Sequence, residues 1–257
     1  MPSLNAYLRW PGGKRRLVPK IKALYDQHRH LPLYEPFCGA LNVALGLQPE
    51  YAILNDANQP LINLHRHVQL GLRIEPCPPP TKESYYIIRE RFNECIQNGL
   101  GNQPIAAQHF YYLNRLCFNG LCRYSKSSGF NVPFGDIKKP VIKPDLFEYK
   151  PAMRNWCFLH GDFEKPFPGV FIYADPPYDD GFTNYSGNEF SWADQERLAK
   201  YLASHDGPVI ASNKRTQRIE ELYRDLGFEI EIIEMPRSIS CKGNRAPVEE
   251  IFATKGI

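Results

Sequence analysis

The sequence predicts an α/β protein whose sheet is interrupted by a mainly helical insert, and three observations lead to this prediction. An apolar run over residues 171–174 ends abruptly at Asp175-Pro176-Pro177-Tyr178. A strand, a glycine turn, a helix and a second strand follow one another over residues 34–56. Helical patterns then alternate with loops from about Pro60 to Pro144. The expected sheet domain comprises residues 1–59 and 145–257, and the expected insert comprises residues 60–144.

Length and composition set the broad class of the protein. A chain of 257 residues can bury one good core, either as one elaborated domain or as a core with a smaller insert. No apolar stretch is long enough to span a bilayer, and the first residues lack a signal core, so we expect a soluble intracellular protein. The net charge of +3 is too small to argue for a nucleic-acid partner.

The cysteines indicate neither disulfides nor zinc. Their number, seven, is odd, and they form neither a Cys-x-x-Cys pair nor a zinc-finger spacing. We therefore expect reduced, mostly buried thiols and no metal.

The first elements resemble a nucleotide-binding unit. Residues 34–45 predict a strand, a tight turn at Gly39 and a helix, and residues 51–56 predict a strand that ends in Asp56. Only Gly39 occupies a turn where a dinucleotide fingerprint needs three glycines, so another adenosine-bearing ligand is favoured over a nicotinamide cofactor. A ligand-free strand, turn and helix with an acidic loop remains an alternative from this segment alone.

The insert contains a candidate DNA reader. Residues 110–124 predict a helix, an Asn-Gly turn and Arg123, and residues 129–135 predict a short glycine-bounded hairpin. A planar guanidinium can bond O6 and N7 of guanine, and Phe118 can stack where a base has left the duplex. A packed aromatic helix with a surface arginine is the alternative.

The elements after the insert return to the α/β pattern. Strands are predicted over residues 156–162, 170–174 and 208–213, followed by a last strand pair. Helices are predicted over residues 192–202, capped by Ser191, and near residues 218–226.

The acidic-aromatic tip carries the chemistry. Pro176 and Pro177 cannot continue a strand ladder, so Asp175 and Tyr178 must stand at the carboxyl end of the strand, where open α/β sheets bind ligands. A carboxylate, a proline carbonyl and an aromatic ring can accept hydrogen bonds from a flat amino-bearing ring and stack on it. A strand followed by a proline-rich turn is the alternative.

Taken together, these motifs resemble the Dam-type DNA adenine N6-methyltransferases, which methylate adenine in GATC. The resemblance covers nearly the whole chain in family order. It implies a Rossmann-like S-adenosylmethionine-dependent methyltransferase sheet with an inserted target-recognition domain containing a short β-hairpin. The motifs are residues 8–14, 35–39, 55–56, 119–124 with 130–135, and 175–178.

The resemblance implies S-adenosylmethionine as methyl donor, without a metal. Asp175 and the Pro176 carbonyl would accept hydrogen bonds from the amino group of a flipped adenine, and Tyr178 would stack on its ring. The implied catalytic residues are Asp175, Pro176, Pro177 and Tyr178. The implied donor site comprises Trp10, Lys14, Phe37, Gly39, Asp56, Asp162, Phe163 and Asp175.

The resemblance also implies double-stranded DNA as partner. Arg123 would read a guanine, Leu121 and Pro133 would contact base edges, Phe118 would intercalate, Asn119 would contact the unpaired partner base, and Arg9 would contact the outer G:C pair. The chain departs from the family at four positions. Arg9 and Phe118 replace the usual lysine and tyrosine, Leu41 replaces a glycine, and Pro11 replaces a small residue.

Other functions remain open at this point. A cytosine C5 enzyme is excluded, since the only Pro-Cys pair, Pro76-Cys77, lies in a proline-rich loop. A DNA-binding protein with an impaired methyltransferase fold, and an amino-methyltransferase acting on RNA or on N4 of cytosine, are the alternatives. We expect a monomer in the cytoplasm of a bacterial cell or phage-infected host, associated with the nucleoid. Restriction protection, replication or repair marking, and phage genome defence are all compatible roles.

Overall fold

The computed structural model describes residues 4–75, 77–125, 129–179, 190–235 and 248–257. Within these ranges the helices are Val18–Tyr25 (α1), Asn42–Leu47 (α2), Gln59–Leu70 (α3), Lys82–Gln97 (α4), Pro104–Leu116 (α5), Lys150–Met153 (α6), Trp192–Ala203 (α7) and Gln217–Asp225 (α8). The strands are Leu33–Glu35 (β1), Ala52–Asp56 (β2), Tyr124–Ser125 (β3), Gly129–Phe130 (β4), Trp156–His160 (β5), Phe171–Ala174 (β6), Val209–Lys214 (β7), Glu229–Met235 (β8) and Val248–Lys255 (β9).

A seven-stranded sheet forms the centre of the protein, in the order β5-β2-β1-β6-β7-β9-β8. The pairs from β5 to β7 are parallel, and β9 runs antiparallel to both of its neighbours. The strand order reverses between β1 and β6, which makes the crevice at their carboxyl ends a topological switch point. The predicted α/β class is confirmed.

The central strands are buried on both faces. All four residues of β6 are buried, as expected for a parallel strand covered by helices on each side. Neighbouring residues along a strand join different cores: Leu33 and Phe171 pack in one cluster, and Tyr34 and Ile172 pack in the other. This alternation fixes the strand register, because a slip of one residue would exchange the two faces.

Helix α7 begins where the sequence predicts. The Ser191 side chain accepts a hydrogen bond from the Asp194 backbone N–H at 3.3 Å, and Asp194 Oδ2 accepts one from the Ser191 N–H at 2.9 Å. This reciprocal capping box confirms the predicted cap. It also fixes the start of the helix that lies next to the tip after β6.

The segment between the two halves of the sheet is mainly helical, as predicted. Helix α3 packs against β2 and β5 on one side and against α5 on the other, and α4 packs against α5. The predicted hairpin is formed by β3 and β4. It is tied to α4 by Asn93, whose side chain exchanges two hydrogen bonds with the backbone of Phe130, at 2.9 and 3.2 Å.

The cysteines in the described ranges are free thiols, although fewer are buried than the sequence predicts. Cys38, Cys117 and Cys122 are buried, whereas Cys77 and Cys157 are exposed. Among the described residues, no helix is both long and apolar enough to cross a membrane.

Candidate active site

A cavity of about 650 Å³ opens at the carboxyl ends of β1, β2, β5 and β6, at the switch point. A site at this edge is where the sequence predicts ligand binding. Every predicted donor-site and catalytic position lines it: Trp10, Lys14, Phe37, Gly39, Asp56, Asp162, Phe163, Asp175, Pro176, Pro177 and Tyr178.

The turn after β1 forms one wall of the cavity. Gly39 has φ +46°, and a Cβ there would lie 3.1 Å from Trp10 Nε1, so glycine lets the indole approach the turn. Leu41 stands where the resemblance implies a glycine, and its φ of 63° lies in the left-handed region. A side chain in this region costs about 1 kcal/mol. The chain therefore places a leucine in a left-handed turn at the edge of its ligand cavity.

Asp56 ties the end of β2 to this turn. Its Oδ2 accepts a hydrogen bond from the Gly39 N–H at 3.0 Å, and its Oδ1 accepts one from the Asn58 N–H at 2.9 Å. Burial raises the pKa of the Asp56 carboxyl, and these two donors oppose the rise. Each oxygen has a second lone pair, so the carboxylate can still accept from a ligand hydroxyl.

At the tip after β6, Asp175 faces a buried ammonium group. Lys14 Nζ lies 3.1 Å from Asp175 Oδ1 and 3.8 Å from Glu250 Oε1, and the Lys14 side chain is only 4% exposed. The same ammonium group lies 4.9 Å from the centroid of the Tyr178 ring. Burial raises the pKa of Asp175 to about 6, with Lys14 opposing the rise and Glu250 adding to it. Asp175 thus changes charge close to neutral pH.

Arg197, on α7, holds the opposite wall. Its two terminal nitrogens donate to Asp162 Oδ1 at 2.9 Å and Oδ2 at 2.8 Å, which is the bidentate geometry of strong arginine–carboxylate pairs. The guanidinium also lies 4.1 Å from the centroid of the Phe163 ring. Hydrogen bonding to Arg197 lowers the pKa of Asp162, so this carboxyl is ionised at neutral pH.

The predicted DNA-contacting residues form a second group, on the turn that follows α5. The Phe118 N–H donates to the Pro133 carbonyl at 2.9 Å, and Arg9 Nη1 donates to the Cys117 carbonyl at 3.0 Å. Phe118 is 44% exposed, so its ring is accessible to a partner. This turn therefore brings together five of the six predicted positions: Arg9, Phe118, Asn119, Leu121 and Pro133.

Arg123 follows directly on this turn and is exposed. Asn131 Oδ1 accepts a hydrogen bond from Arg123 Nε at 2.7 Å, and the Asn131 backbone N–H donates to the Arg123 carbonyl at 3.1 Å. The side chain is thus held mainly at its Nε, and Nη2 makes a longer hydrogen bond of 3.4 Å to the Asn131 carbonyl. The basic segment over residues 239–245, a candidate loop over DNA or a flexible hairpin from the sequence, lies outside the described residues.

Sequence reasoning assigned no role to Glu35, Arg197 or Glu250. The sequence does indicate that Glu35 is special, because a charged residue ends an apolar strand there. The structure shows it to be only 2% exposed. Arg197 and Glu250 gave no such signal. Arg197 reads as the solvated face of a helix, and Glu250 reaches the site only because β9 pairs with β7, opposite Lys214. Among the described residues, no group of His, Cys, Asp and Glu is arranged to hold a metal ion.

The Rossmann-like sheet, with an acidic-aromatic tip at its switch point, agrees with the class that the sequence motifs resemble, the S-adenosylmethionine-dependent methyltransferases. Residues 10–239 match the family described as D12 class N6 adenine-specific DNA methyltransferases. The chain belongs to this family, and it is therefore an adenine-specific DNA methyltransferase.

Relatives agree with this assignment. The DNA adenine methylase of Vibrio cholerae is 35% identical over 98% of this chain and 96% of its own length. That of Haemophilus influenzae is 35% identical over 97% of this chain and 93% of its own length. A DNA N-6-adenine-methyltransferase of Escherichia phage P1 is 34% identical over 93% of this chain, which corresponds to 34% of the phage protein.

Among solved structures, a putative RNA methyltransferase from Pyrococcus horikoshii aligns with 9% identity and a TM-score of 0.46, covering 100% of this chain and 92% of that one. The family assignment rests on the sequence relatives.

The cavity fits S-adenosylmethionine, the methyl donor of this class. Its volume lies within the usual range of about 300–1,000 Å³ for small-molecule sites. Glu35 lines it, and the buried Glu35 Oε1 has no hydrogen-bond partner among the described residues. Burial raises the pKa of Glu35 well above its usual value, so a cationic ligand would stabilise its charged form. The donor carries two cationic groups and, when bound, supplies an activated methyl group.

Proposed function

We propose that this protein methylates N6 of adenine within GATC in duplex DNA, and that it flips the adenine out of the helix to do so. The observation that carries the proposal is the position of Asp175, Pro176 and Tyr178 on the wall of a cavity that also holds the buried Lys14. An amino group inside a duplex cannot reach such a recessed site, so the base must leave the stack.

The tip activates the amino group by hydrogen bonding. Asp175 and the Pro176 carbonyl accept from the two N–H groups, which draws the nitrogen lone pair out of the ring and toward the methyl carbon. Tyr178 stacks on the adenine and fixes its plane. After transfer, the positively charged amine releases a proton. Asp175, with a pKa of about 6, is matched to accept that proton near neutral pH.

The donor is held on the other side of the cavity. Asp56 accepts from ribose hydroxyls, and Asp162 with Phe163 flanks the donor adenine. Lys14 and Phe37 shape the space around the methionine part, and Trp10 packs against the Gly39 turn. Support for this assignment comes from the lining of the cavity and from the bidentate Arg197 that fixes Asp162.

Residues 60–144 recognise the target. Arg123 reads a guanine with its exposed guanidinium, exchanging the long bond from Nη2 to Asn131 for one to the base, and Leu121 and Pro133 contact base edges. Phe118 enters the stack, and Asn119 contacts the partner base that flipping leaves unpaired. Arg9 contacts the outer G:C pair. Two observations support this arrangement: the Phe118 ring is exposed, and the hydrogen bond to Asn131 orients the Arg123 side chain. We propose that the enzyme acts as a monomer in the cytoplasm.

Base-resolved methylation mapping tests the proposal. Unmethylated plasmid is incubated with purified protein and S-adenosylmethionine, and methyl groups are expected only on adenines of GATC. Asp175→Ala should abolish transfer. Arg123→Lys keeps the charge but loses the bidentate contact, so it should reduce discrimination at the guanine by about tenfold.

Each deviation has a distinct meaning. Adenine methylation outside GATC would contradict the assigned target sequence, and methylated cytosine would contradict the assigned base. Donor and DNA binding without any transfer would favour a DNA-binding protein with an impaired site. Flipping is tested separately by placing 2-aminopurine at the target adenine, because its fluorescence should rise when it leaves the stack.

A further inference from the structure

Two buried amide side chains connect the catalytic tip to the interior of the protein. Gln195, on α7, donates from Nε2 to the Pro177 carbonyl at 2.8 Å. Asn213, on β7, donates from Nδ2 to Gln195 Oε1 at 2.9 Å. The Lys214 backbone N–H donates to Asn213 Oδ1 at 2.8 Å. Gln195 and Asn213 are both 0% exposed, so the hydrogen bond between them is shielded from water.

The backbone groups at the two ends of this series of three hydrogen bonds determine which atom donates and which accepts in each bond. Pro177 offers only a carbonyl acceptor, so the Gln195 amide must present its NH₂ group there and its oxygen to Asn213. The Lys214 N–H can only donate, so the Asn213 amide must present its oxygen there. Both amide orientations follow from the backbone groups alone, and neither can be reversed without leaving a buried polar group unpaired.

The tip depends on a donor from outside because its two prolines have only backbone acceptors. Pro176 and Pro177 lack N–H groups, so neither residue can donate a hydrogen bond to the surrounding structure. Their rings fix φ, and Pro177 also restricts the ψ angle of Pro176, but the ψ angle of Pro177 itself stays free. The hydrogen bond from Gln195 removes that freedom at Pro177. It therefore fixes the direction of the chain between the Pro176 carbonyl and Tyr178.

We propose that Gln195 is a positioning residue for methyl transfer, which holds Pro177 so that the Pro176 carbonyl and the Tyr178 ring keep their orientation toward the target amino group. The inference rests on the proposed function of the tip. Gln195 does not line the donor cavity. Its loss should therefore lower kcat while leaving the affinity for S-adenosylmethionine unchanged.

A glutamate at this position makes the hydrogen bond switchable. A protonated carboxyl group can donate its O–H to Pro177 and accept from Asn213, as the glutamine does. An ionised carboxylate can only accept, and it would face the Pro177 carbonyl without a proton between them. Burial raises the pKa of such a carboxyl group, so both forms are accessible between about pH 6 and pH 9.

The experiment compares Gln195→Glu and Gln195→Leu with the native enzyme, as kcat at saturating donor and DNA. The kcat of Gln195→Glu divided by the native kcat should fall by about tenfold or more from pH 6 to pH 9. The Leu variant should be low by a similar factor at every pH. Using the ratio to native cancels the titration of Asp175, which pairs with Lys14 and lies in the same loop as Asp179, the partner of Arg218 on α8.

Asn63 provides a matched control. It is a buried amide on α3 that donates to the Gln103 carbonyl at 3.1 Å, away from the tip. Asn63→Asp should show no pH-dependent loss of kcat relative to native. Donor binding by calorimetry and thermal melting of all variants show whether the fold and the donor site are intact. Donor affinity should stay within about twofold of native.

Three outcomes would overturn the inference. The first is a native kcat in the Leu variant, and the second is a pH-independent ratio in the Glu variant. The third is a loss of donor affinity in parallel with kcat, which would indicate a structural role only. A native enzyme that transfers no methyl group would overturn the proposed function itself, and the inference with it.

Discussion

His65, on α3, donates from Nε2 to the Gly39 carbonyl at 2.8 Å, behind the glycine turn of the cavity. Because Nε2 faces a carbonyl, it must carry the proton, and Nδ1 is left to accept from the Tyr7 hydroxyl. The imidazole is therefore neutral in the folded protein. It connects the turn after β1 to the segment that carries Arg9 and Trp10.

This histidine should make the protein sensitive to mild acid. Burial lowers the pKa of His65 to about 4, below its usual value, so the unfolded chain binds a proton more readily than the folded one. The stability it contributes is present above about pH 6.5 and is lost as the pH falls toward 4. Between pH 7 and pH 5 the free energy of unfolding of the native protein, measured by urea denaturation, should fall by about 2 kcal/mol more than that of His65→Gln. The control is His67→Gln, on the same helix, whose free energy of unfolding should fall as much as that of the native protein. A fall in His65→Gln equal to the native one would contradict the prediction.

Lys14→Met should move the acid limb of the pH–rate profile upward. In the native enzyme Asp175 ionises with a pKa of about 6, and the ammonium group of Lys14 opposes a further rise. Without the ammonium group the ionised form of Asp175 is less stable, so a higher pH is needed to ionise this carboxyl group. The midpoint of kcat should rise by about one pH unit or more. Lys14→Arg keeps the charge and serves as control, and an unchanged midpoint in Lys14→Met would rule out this coupling.

Arg197→Gln should weaken donor binding while leaving the transfer step intact. The change removes the bidentate pair with Asp162 and the cation over Phe163. The dissociation constant of S-adenosylmethionine should rise by about tenfold in calorimetry, with kcat at saturating donor close to native. Lys200→Gln, an exposed change one turn along the same helix, should leave both values unaltered. A reduced kcat with unchanged affinity would place Arg197 in the transfer step instead.

Gly120→Ala should damage the turn after α5. Gly120 has φ +68°, and a Cβ there would lie 2.6 Å from the Arg9 carbonyl oxygen, a backbone atom that cannot move aside. Gly99 has φ +73° with nothing within 4 Å, so Gly99→Ala carries the backbone strain without the clash. Gly99→Ala should cost about 1 kcal/mol in urea denaturation, and Gly120→Ala should cost at least about 1 kcal/mol more and weaken DNA binding. An equal loss of unfolding free energy in the two variants would show that Arg9 and the turn can move apart to accommodate the added methyl group.

Local signals in the sequence were sufficient for most of the fold. Strand β6 is a short apolar run closed by two prolines, and helix α7 starts at a Ser-x-x-Asp box, so each carries its own boundary. The same reasoning located the tip and the glycine turn, since both follow strands whose carboxyl ends meet at one edge of a parallel sheet.

The charges around the tip could not be predicted in this way. Glu250 lies 3.8 Å from Lys14 only because β9 enters the sheet beside β7, and no local pattern specifies which strand it joins. Gln195 also lies in a helix whose pattern is typical of a half-exposed element, yet it is fully buried. Long-range pairing and the burial of single polar residues depend on the assembled core, which a local pattern does not encode.

The position of β9 has a consequence for how the molecule is made. It is synthesised after every other described strand, yet it lies between β7 and β8. While the ribosome still holds this segment, β7 has an open edge of unpaired backbone groups, and Lys14 has yet to meet Glu250. Closing the sheet and completing the charge cluster therefore happen together, so an unfinished nascent chain has neither a finished sheet nor a finished active site.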